Sequence, residues 1–118
     1  MLKEERALPA CPVETALMVI GDRWKLLIVR ELMDGTKRFG ELKKSLGTIS
    51  QKVLTQHLRC LESFGLVERK VYAQVPPKVE YSLTEQGRRL DIIIKAMWTW
   101  GEGYQEFRGM KKGSQSPA

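Results

Sequence analysis

The sequence has few of the residues from which metal sites and catalytic sites are built. One histidine and two cysteines, Cys11 and Cys60, are present, too few for a structural zinc site within one chain or for a cross-linked secreted scaffold. A glycine-rich phosphate loop, a carboxylate pair in a cleft-like context and a nucleophile beside a base are also missing. We therefore expect no enzyme activity, no metal and no cofactor.

Long apolar stretches are missing as well. No run of apolar residues approaches the length that a membrane-spanning helix needs. The first residues mix basic and acidic side chains from Lys3 to Arg6 and contain no apolar signal-peptide core. The expectation is a cytoplasmic protein without a membrane partner.

Positive charge, in contrast, is concentrated in the middle of the chain. The 118 residues have a formal net charge of +6. Residues 35–82 hold nine basic and four acidic side chains, which gives this segment +5 of the total. An anionic partner is expected, and nucleic acid is favoured over a membrane because no segment combines the charge with a lipid-facing apolar surface. At this length we expect one domain, to which a second subunit could add buried area.

An amphipathic helix is predicted over residues 51–64. Ser50 is a suitable N-cap, Ile49 and Leu54 fit a hydrophobic staple, and Gly65 suits a left-handed stop. On a helical wheel the apolar side chains share one arc with His57 and Cys60. His57 is expected to be a core or rim residue, and Cys60 a small buried residue at the rim. This arc is expected to pack against the rest of the domain.

The opposite arc of the same helix is polar and has few glutamates for a solvated helix. It carries Gln51, Lys52, Thr55, Gln56 and Arg59. Such side chains form hydrogen bonds with base edges and phosphates, as in the recognition helix of a DNA-binding protein. A solvated amphipathic helix is the alternative for this segment taken alone.

Three shorter helices are predicted before the recognition helix. The first begins at Pro12 and ends at Gly21, and the second runs from an Asp22 cap to Met33. Residues 36–39 could form one edge strand, and a helix of about two turns follows, from Phe39 to Leu46. Because a short turn containing Gly47 joins that helix to the recognition helix, the pair is a predicted helix-turn-helix.

After Gly65 the hydrophobic period changes from that of a helix to that of a strand. Residues 66–75 and 78–83 are predicted strands, joined around Pro76 and Pro77, which cannot lie in the paired middle of a sheet. A hairpin after a recognition helix is a wing, and Arg69, Lys70 and Lys78 would place positive charge along it. An ordinary hairpin with solvated charges is the alternative.

A long last helix is predicted from a Thr84 cap to about Phe107, weakened by its three glycines. Apolar and small residues step along it by four and three, as in a seam between two helices. The seam comprises Leu90, Ile94, Met97, Gly101 and Tyr104. Ile93, Trp98 and Trp100 add further apolar area outside this seam, so we infer a homodimer. Folding of the helix onto its own domain is the alternative.

These patterns give an α+β, mainly helical fold: a winged helix-turn-helix with a two-stranded wing and a long C-terminal dimerisation helix. Residues 1–10 are expected to form a mobile arm, 11–109 the domain, and 110–118 a disordered tail.

The chain resembles the HxlR-type winged helix-turn-helix transcriptional regulators of bacteria and archaea, in the MarR-like superfamily. The resemblance covers roughly residues 11–109. The matching segments are Cys11–Pro12, Gly21–Trp24, Arg38–Leu42, Ile49–Thr55, Leu58 with Leu61–Glu62, Gly65–Arg69, and Pro76–Thr84 with Gly87. The resemblance implies a homodimer on operator DNA, joined through its N-terminal and C-terminal helices.

The resemblance also directs attention to Cys11. Family members that sense electrophiles or oxidants have a cysteine just before the proline of the first helix, and Cys11 matches it. A helix N-terminus favours the thiolate form of a cysteine. Cys60 stands where many relatives have a polar or acidic residue, which leaves its role open. An inert Cys11 at a helix cap is the alternative to a sensor.

The resulting hypothesis is a sequence-specific transcriptional regulator that binds a near-palindromic double-stranded operator as a homodimer and responds to an electrophile or oxidant through Cys11. A winged-helix protein-interaction module that never contacts DNA is the alternative. The predicted DNA-binding residues are Lys37, Arg38, Ser50, Gln51, Lys52, Thr55, Gln56, Arg59, Arg69, Lys70 and Lys78. The predicted dimer-interface residues are Leu17, Leu90, Ile94, Met97, Trp98, Gly101 and Tyr104.

Overall fold

The computed structural model describes residues 7–110 as six helices and one two-stranded sheet. The elements in chain order are α1 (Pro12–Ile20), α2 (Arg23–Met33), α3 (Phe39–Leu46), α4 (Gln51–Ser63), β1 (Val67–Tyr72), β2 (Lys78–Leu83), α5 (Glu85–Arg88) and α6 (Asp91–Phe107). The predicted mobile arm and disordered tail lie largely outside the described residues. The α+β winged helix-turn-helix predicted from the sequence is confirmed.

The core forms where α2, α3 and α4 pack together beneath the hairpin. Its fully buried side chains are Ile28, Val29, Leu42, Leu54, Leu58 and Leu61. Three of these six lie on one face of α4, as the helical wheel predicted. In α2, Ile28 and Leu32 are buried, whereas Trp24 and Leu27 are half-buried.

The ends of α4 are set by local interactions that the sequence indicated. The Ser50 Oγ accepts a hydrogen bond from the Val53 amide at 3.1 Å, which satisfies one of the free amides of the first turn. After the helix, Gly65 has a φ of 76°, a left-handed conformation that favours glycine. The Leu66 amide then donates to the Leu61 carbonyl at 2.9 Å, so the chain leaves α4 directly into β1.

The hairpin pairs β1 and β2 antiparallel, with Val67 opposite Leu83 and Tyr72 opposite Lys78. The first strand ends at Tyr72, so its predicted extension to Val75 is wrong. Pro76 and Pro77 lack amide donors and the turn begins before them. The predicted edge strand at residues 36–39 is reduced to one bridge, in which Lys37 and Tyr81 exchange backbone hydrogen bonds of 3.0 and 2.8 Å.

The last helix is broken, contrary to the prediction of one helix from Thr84 to Phe107. Thr84 caps the short α5 by accepting from the Gly87 amide at 3.1 Å, and its hydroxyl donates to the Gly65 carbonyl at 2.7 Å. These bonds hold α5 against the end of the hairpin. The chain bends at Arg89 and Leu90, which places α6 across α2 and buries Ile94 in the core.

Gly87 is the glycine that this junction requires. A Cβ atom at Gly87 would lie 2.1 Å from the Leu66 carbonyl oxygen, whereas one at Gly40 in α3 would meet nothing within 4 Å. We expect Gly87→Ala to lower the free energy of unfolding by about 1–3 kcal/mol. The matched Gly40→Ala should leave it unchanged or raise it by up to ~1 kcal/mol. Urea unfolding of both variants tests this, and equal stabilities would contradict the close approach.

Candidate nucleic-acid interface

The outer face of α4 is exposed and free of internal ion pairs. Gln51, Lys52, Gln56 and Arg59 are solvent-exposed, and within residues 7–110 neither Lys52 nor Arg59 has a salt-bridge partner. Thr55 is half-buried, and its hydroxyl donates to the Gln51 carbonyl at 2.8 Å. Its oxygen can still accept a hydrogen bond. Five of the predicted DNA-binding residues therefore share one surface.

Ser50 differs from these residues because its side chain has a structural partner. The Ser50 oxygen caps α4 by accepting from the Val53 amide. The residue is nevertheless exposed at the start of the helix. A contact between Ser50 and DNA stays a prediction.

A polar groove separates α4 from the wing. It has a volume of about 530 Å³. Its lining residues are Thr55, Leu58, Arg59, Glu62, Arg69 and Tyr81. Arg59 from the helix and Arg69 from β1 face each other across the groove, and neither forms an ion pair in the described part of the chain. Two such guanidinium groups make the groove suited to an anionic strand such as a nucleic-acid backbone.

The three predicted basic residues of the wing do not lie on one face. Side chains alternate along a strand, and in the β1–β2 register Arg69 pairs with Tyr81 while Lys70 pairs with Glu80. Arg69 and Tyr81 line the groove beside α4. Lys70 and Lys78 lie on the opposite, outer face. The sequence-based prediction treated the three charges as one group and missed this division. The alternation of side chains along a strand already implies it.

The outer face of the wing is organised around one tyrosine. The Tyr72 hydroxyl donates to Glu80 Oε1 at 2.9 Å. The Nζ atoms of Lys70 and Lys78 lie 5.0 and 4.8 Å from the centre of the Tyr72 ring, within the range of cation–π attraction. The hydrogen bond from Tyr72 lowers the pKa of Glu80, and Lys78 and Arg38 lower this pKa further against the effect of burial. Glu80 is thus held as a carboxylate among cations.

Lys37 and Arg38 lie beside β2. The backbone of Lys37 pairs with Tyr81, and the Arg38 amide begins α3 by donating to Glu41 Oε1 at 2.9 Å. The charge of Arg38 is near enough to Glu80 to lower its pKa. Arg38 therefore adjoins the outer face of the wing, whereas Lys37 lies opposite a residue of the groove face.

One contact to α4 was absent from the sequence-based prediction. Asp22 accepts hydrogen bonds from the Trp24 and Lys25 amides at 2.9 Å each, and its Oδ1 lies 3.8 Å from His57 Nδ1 on α4. The pKa of His57 lies below its ordinary value because burial lowers it and the charge of Lys25 lowers it further. The Asp22 carboxylate raises this pKa, but by less. Burial raises the pKa of Asp22, but its hydrogen bonds with Lys25 and that residue's charge bring it below the usual value.

The exposed apolar strip of α6 differs from the predicted seam. Ile94 is only 7% exposed, and Leu90 packs against the same core; both face the protein's own domain because the bend before α6 turns them inward. Met97, Trp100 and Phe107 are instead 57%, 69% and 81% exposed. The apolar strip comprises Ile92, Ile93, Ala96, Met97, Trp100, Tyr104 and Phe107.

Aromatic stacking extends along this strip. The rings of Trp100 and Tyr104 stack with centroids 5.2 Å apart, and Tyr104 lies 5.9 Å from Phe107. Trp98 and Gly101 are half-buried on the flank. Leu17 on α1, a predicted interface residue, is exposed. The sequence contains a pattern that indicates this strip, because steps of four and three residues from Ile93 reach Met97 and Trp100.

Cys11 occupies the N-cap position of α1 and is exposed. Its carbonyl accepts from the Thr15 amide at 3.0 Å, while its side chain caps no amide. The thiol is therefore accessible from solvent. Cys60 is half-buried at the rim of the α4 packing face, and neither cysteine forms a disulfide.

Between residues 7 and 110, no group of three or more His, Cys, Asp or Glu side chains could hold a metal ion. In the same range, no helix combines the length and apolar character needed to cross a membrane.

Comparisons with known proteins agree with this architecture. The family model described as HxlR-like helix-turn-helix matches residues 19–108. The HTH-type transcriptional regulator YdeP of Bacillus subtilis (strain 168) is 53% identical over 96 residues, which cover 81% of this chain and 75% of YdeP.

Two solved structures extend the comparison to three dimensions. The redox regulator HypR in its oxidized form shares 53% identity and a TM-score of 0.74, over 79% of this chain and 96% of HypR. Quinone-bound YodB from B. subtilis shares 39% identity and a TM-score of 0.68, over 79% of this chain and 99% of YodB. With the family model matching most of its length, the chain belongs to the HxlR-like helix-turn-helix family of transcriptional regulators.

Proposed function

We propose that this regulator is a homodimer that binds a near-palindromic DNA operator, inserts α4 into the major groove, and responds to an electrophile or oxidant through Cys11. The polar outer face of α4 would read base edges. The wing and the groove beside α4 would contact phosphates. DNA is thus the principal partner, and a small reactive molecule is the effector.

The observation that carries the proposal is the surface formed by α4 and its groove. Gln51 and Gln56 are exposed and can form two hydrogen bonds with an adenine edge. Lys52 and Arg59 are exposed cations without an ion-pair partner among residues 7–110. Arg69 completes the surface from the wing. The base edges of a duplex offer hydrogen-bond partners to the two glutamines, and its phosphates offer ion-pair partners to the cations. DNA is therefore the partner that fits this surface.

A protein-interaction module without DNA binding is the competing function. Such a module would be expected to present an acidic or apolar outer face on α4. No acidic or large apolar side chain is exposed on the helix, since Glu62 lies half-buried in the groove. The charge of the surface therefore favours nucleic acid over a protein partner.

A homodimer would cover the apolar strip of α6. Met97, Trp100, Tyr104 and Phe107 expose apolar side chains along one side of this helix, beyond what a small soluble domain normally leaves in contact with water. Leu17 on α1 adds to this area. A second copy of the chain would present the same strip, which suits the two-fold symmetry of a palindromic operator.

Regulation through Cys11 is supported by exposure and by the solved relatives. Cys11 lies on the surface at the N-cap of α1, and α1 is expected to take part in the dimer interface. HypR is described as a redox regulator, and YodB was solved with a bound quinone. A covalent adduct or an intersubunit disulfide at Cys11 could rotate the subunits and change the spacing of the two α4 helices.

The first prediction separates base reading from phosphate binding. Replacing Gln51, Thr55 or Gln56 by Ala should weaken binding to the cognate operator by ~1–3 kcal/mol and binding to random DNA much less. Lys52→Ala and Arg69→Ala should weaken both alike. Fluorescence titrations with labelled duplexes at two salt concentrations measure this, and wild-type affinity should fall steeply with salt because bound counterions are released. An affinity independent of salt would favour the protein-interaction module.

The second prediction concerns the dimer. Met97→Glu should give monomers, because it places a charge on the exposed strip, and these monomers should bind specific DNA poorly. Lys95→Glu is the matched control on the same helix, outside the strip. Sedimentation of all three proteins tests the arrangement, and a monomeric wild type at micromolar concentration would refute it.

The third prediction concerns Cys11. Treatment with diamide or a quinone should change operator affinity of the wild type, reductant should reverse a disulfide, and Cys11→Ser should not respond. Cys60→Ser, which changes the other thiol, is the matched control and should behave as the wild type. Mass spectrometry locates the modification. Unchanged binding by a protein fully modified at Cys11 would exclude the sensor.

A further inference from the structure

The tip of the wing has no charge of its own. Residues 73–77, Ala-Gln-Val-Pro-Pro, link the two strands and contain no ionisable side chain. Strand alternation turns Arg69 toward the groove beside α4. The basic side chains nearest the tip on the outer face are therefore Lys70 and Lys78. At this end of the wing these two lysines, with Arg38 near Glu80, supply the positive charge that could contact DNA.

Four side chains form a connected cluster on that outer face. Tyr72 lies opposite Lys78, and Lys70 opposite Glu80. The Tyr72 ring lies 5.0 Å from the Lys70 ammonium and 4.8 Å from that of Lys78. Glu80 accepts from the Tyr72 hydroxyl at 2.9 Å and pairs with Lys78 at 3.4 Å. One ring is thus within reach of both cations.

The cluster neutralises only part of its positive charge. Although Lys70 is directly opposite Glu80 in the sheet, it forms no ion pair within the described residues. Two ammonium groups near one ring repel each other, and Glu80 pairs with only one of them. An added anion between the lysines would relieve this repulsion. Since both side chains are otherwise long and flexible, the ring reduces the entropy that would be lost on binding.

We propose that Tyr72 is a positioning residue for DNA binding by the wing. The ring of Tyr72 holds Lys70 and Lys78 side by side, so that the two lysines receive one backbone phosphodiester per protomer. This inference rests on the proposed function. It differs from the role of Arg69, which lies on the other face. Tyr72 itself does not contact DNA in this arrangement.

The experiment uses the full chain and a labelled duplex of random sequence, titrated between about 50 and 200 mM salt. Tyr72→Leu should lower affinity about three- to tenfold, because both cation–π contacts are lost. It should also reduce the slope of log K against log salt by about 0.9 per protomer, the value of one phosphate contact. Tyr72→Phe keeps the ring and should bind within about twofold of wild type. A Phe variant as weak as the Leu variant would overturn the role of the ring.

A second set of variants distinguishes a positioning role of Tyr72 from a role in hairpin stability. In a Lys70→Ala, Lys78→Ala double variant, Tyr72→Leu should cause no further loss of affinity, because there is nothing left to position. A further loss as large as that in the wild type would assign Tyr72 to hairpin stability and overturn the proposal. If the wild type fails to bind the duplex at all, the proposed function fails. If it binds with a steep salt dependence that Tyr72→Leu leaves unchanged, only this inference fails.

Discussion

Burial of one face of α4 determines what the opposite face can do. Leu54, Leu58 and Leu61 are fully buried against α2, α3 and the hairpin, and truncating any one of them to Ala would cost ~2–5 kcal/mol. A rotation of α4 about its axis would expose these leucines. The same burial therefore directs Gln51, Lys52, Gln56 and Arg59 outward at fixed angles. The orientation of this polar surface is a consequence of core packing, not a separate feature.

The junction after α4 transfers this orientation to the wing. The Leu66 amide bonds to Leu61 of α4, its carbonyl accepts from the Thr84 amide at 3.0 Å, and Thr84 also donates to Gly65 and caps α5. The end of α4, both strands and α5 thus meet at one set of hydrogen bonds. The close approach of Gly87 to Leu66 leaves no space for a side chain. A groove of fixed shape between Arg59 and Arg69 requires such a rigid connection.

Features with local causes were predictable from the sequence, and features decided by tertiary packing were not. The Ser50 cap and the Gly65 stop depend on a few neighbouring residues, and both were predicted. The break at Leu90 was not, because it results from anchoring α5 to the hairpin while Ile94 packs into the core. Packing also divides the predicted seam: Leu90 and Ile94 contact the domain's own core, whereas Met97 and Tyr104 are exposed. The sequence pattern alone does not show which apolar residues of α6 the core already buries. In the wing, strand alternation would have separated Arg69 from Lys70, but residue type alone did not.

The contact between Asp22 and His57 connects the start of α2 with α4. Asp22 follows α1 after only Gly21, caps α2 through two amides, and approaches His57 of α4 at 3.8 Å. Because two amide hydrogen bonds hold Asp22 at the start of α2, a displacement of α1 relative to α2 would leave this contact in place. Because the contact is partly exposed, it is too weak to move a helix held by three buried leucines. In the proposed homodimer, a modification at Cys11 would then act on the position of one whole protomer relative to the other, with α4 fixed in each. Such rigid-body control would alter operator affinity without altering which bases each helix contacts.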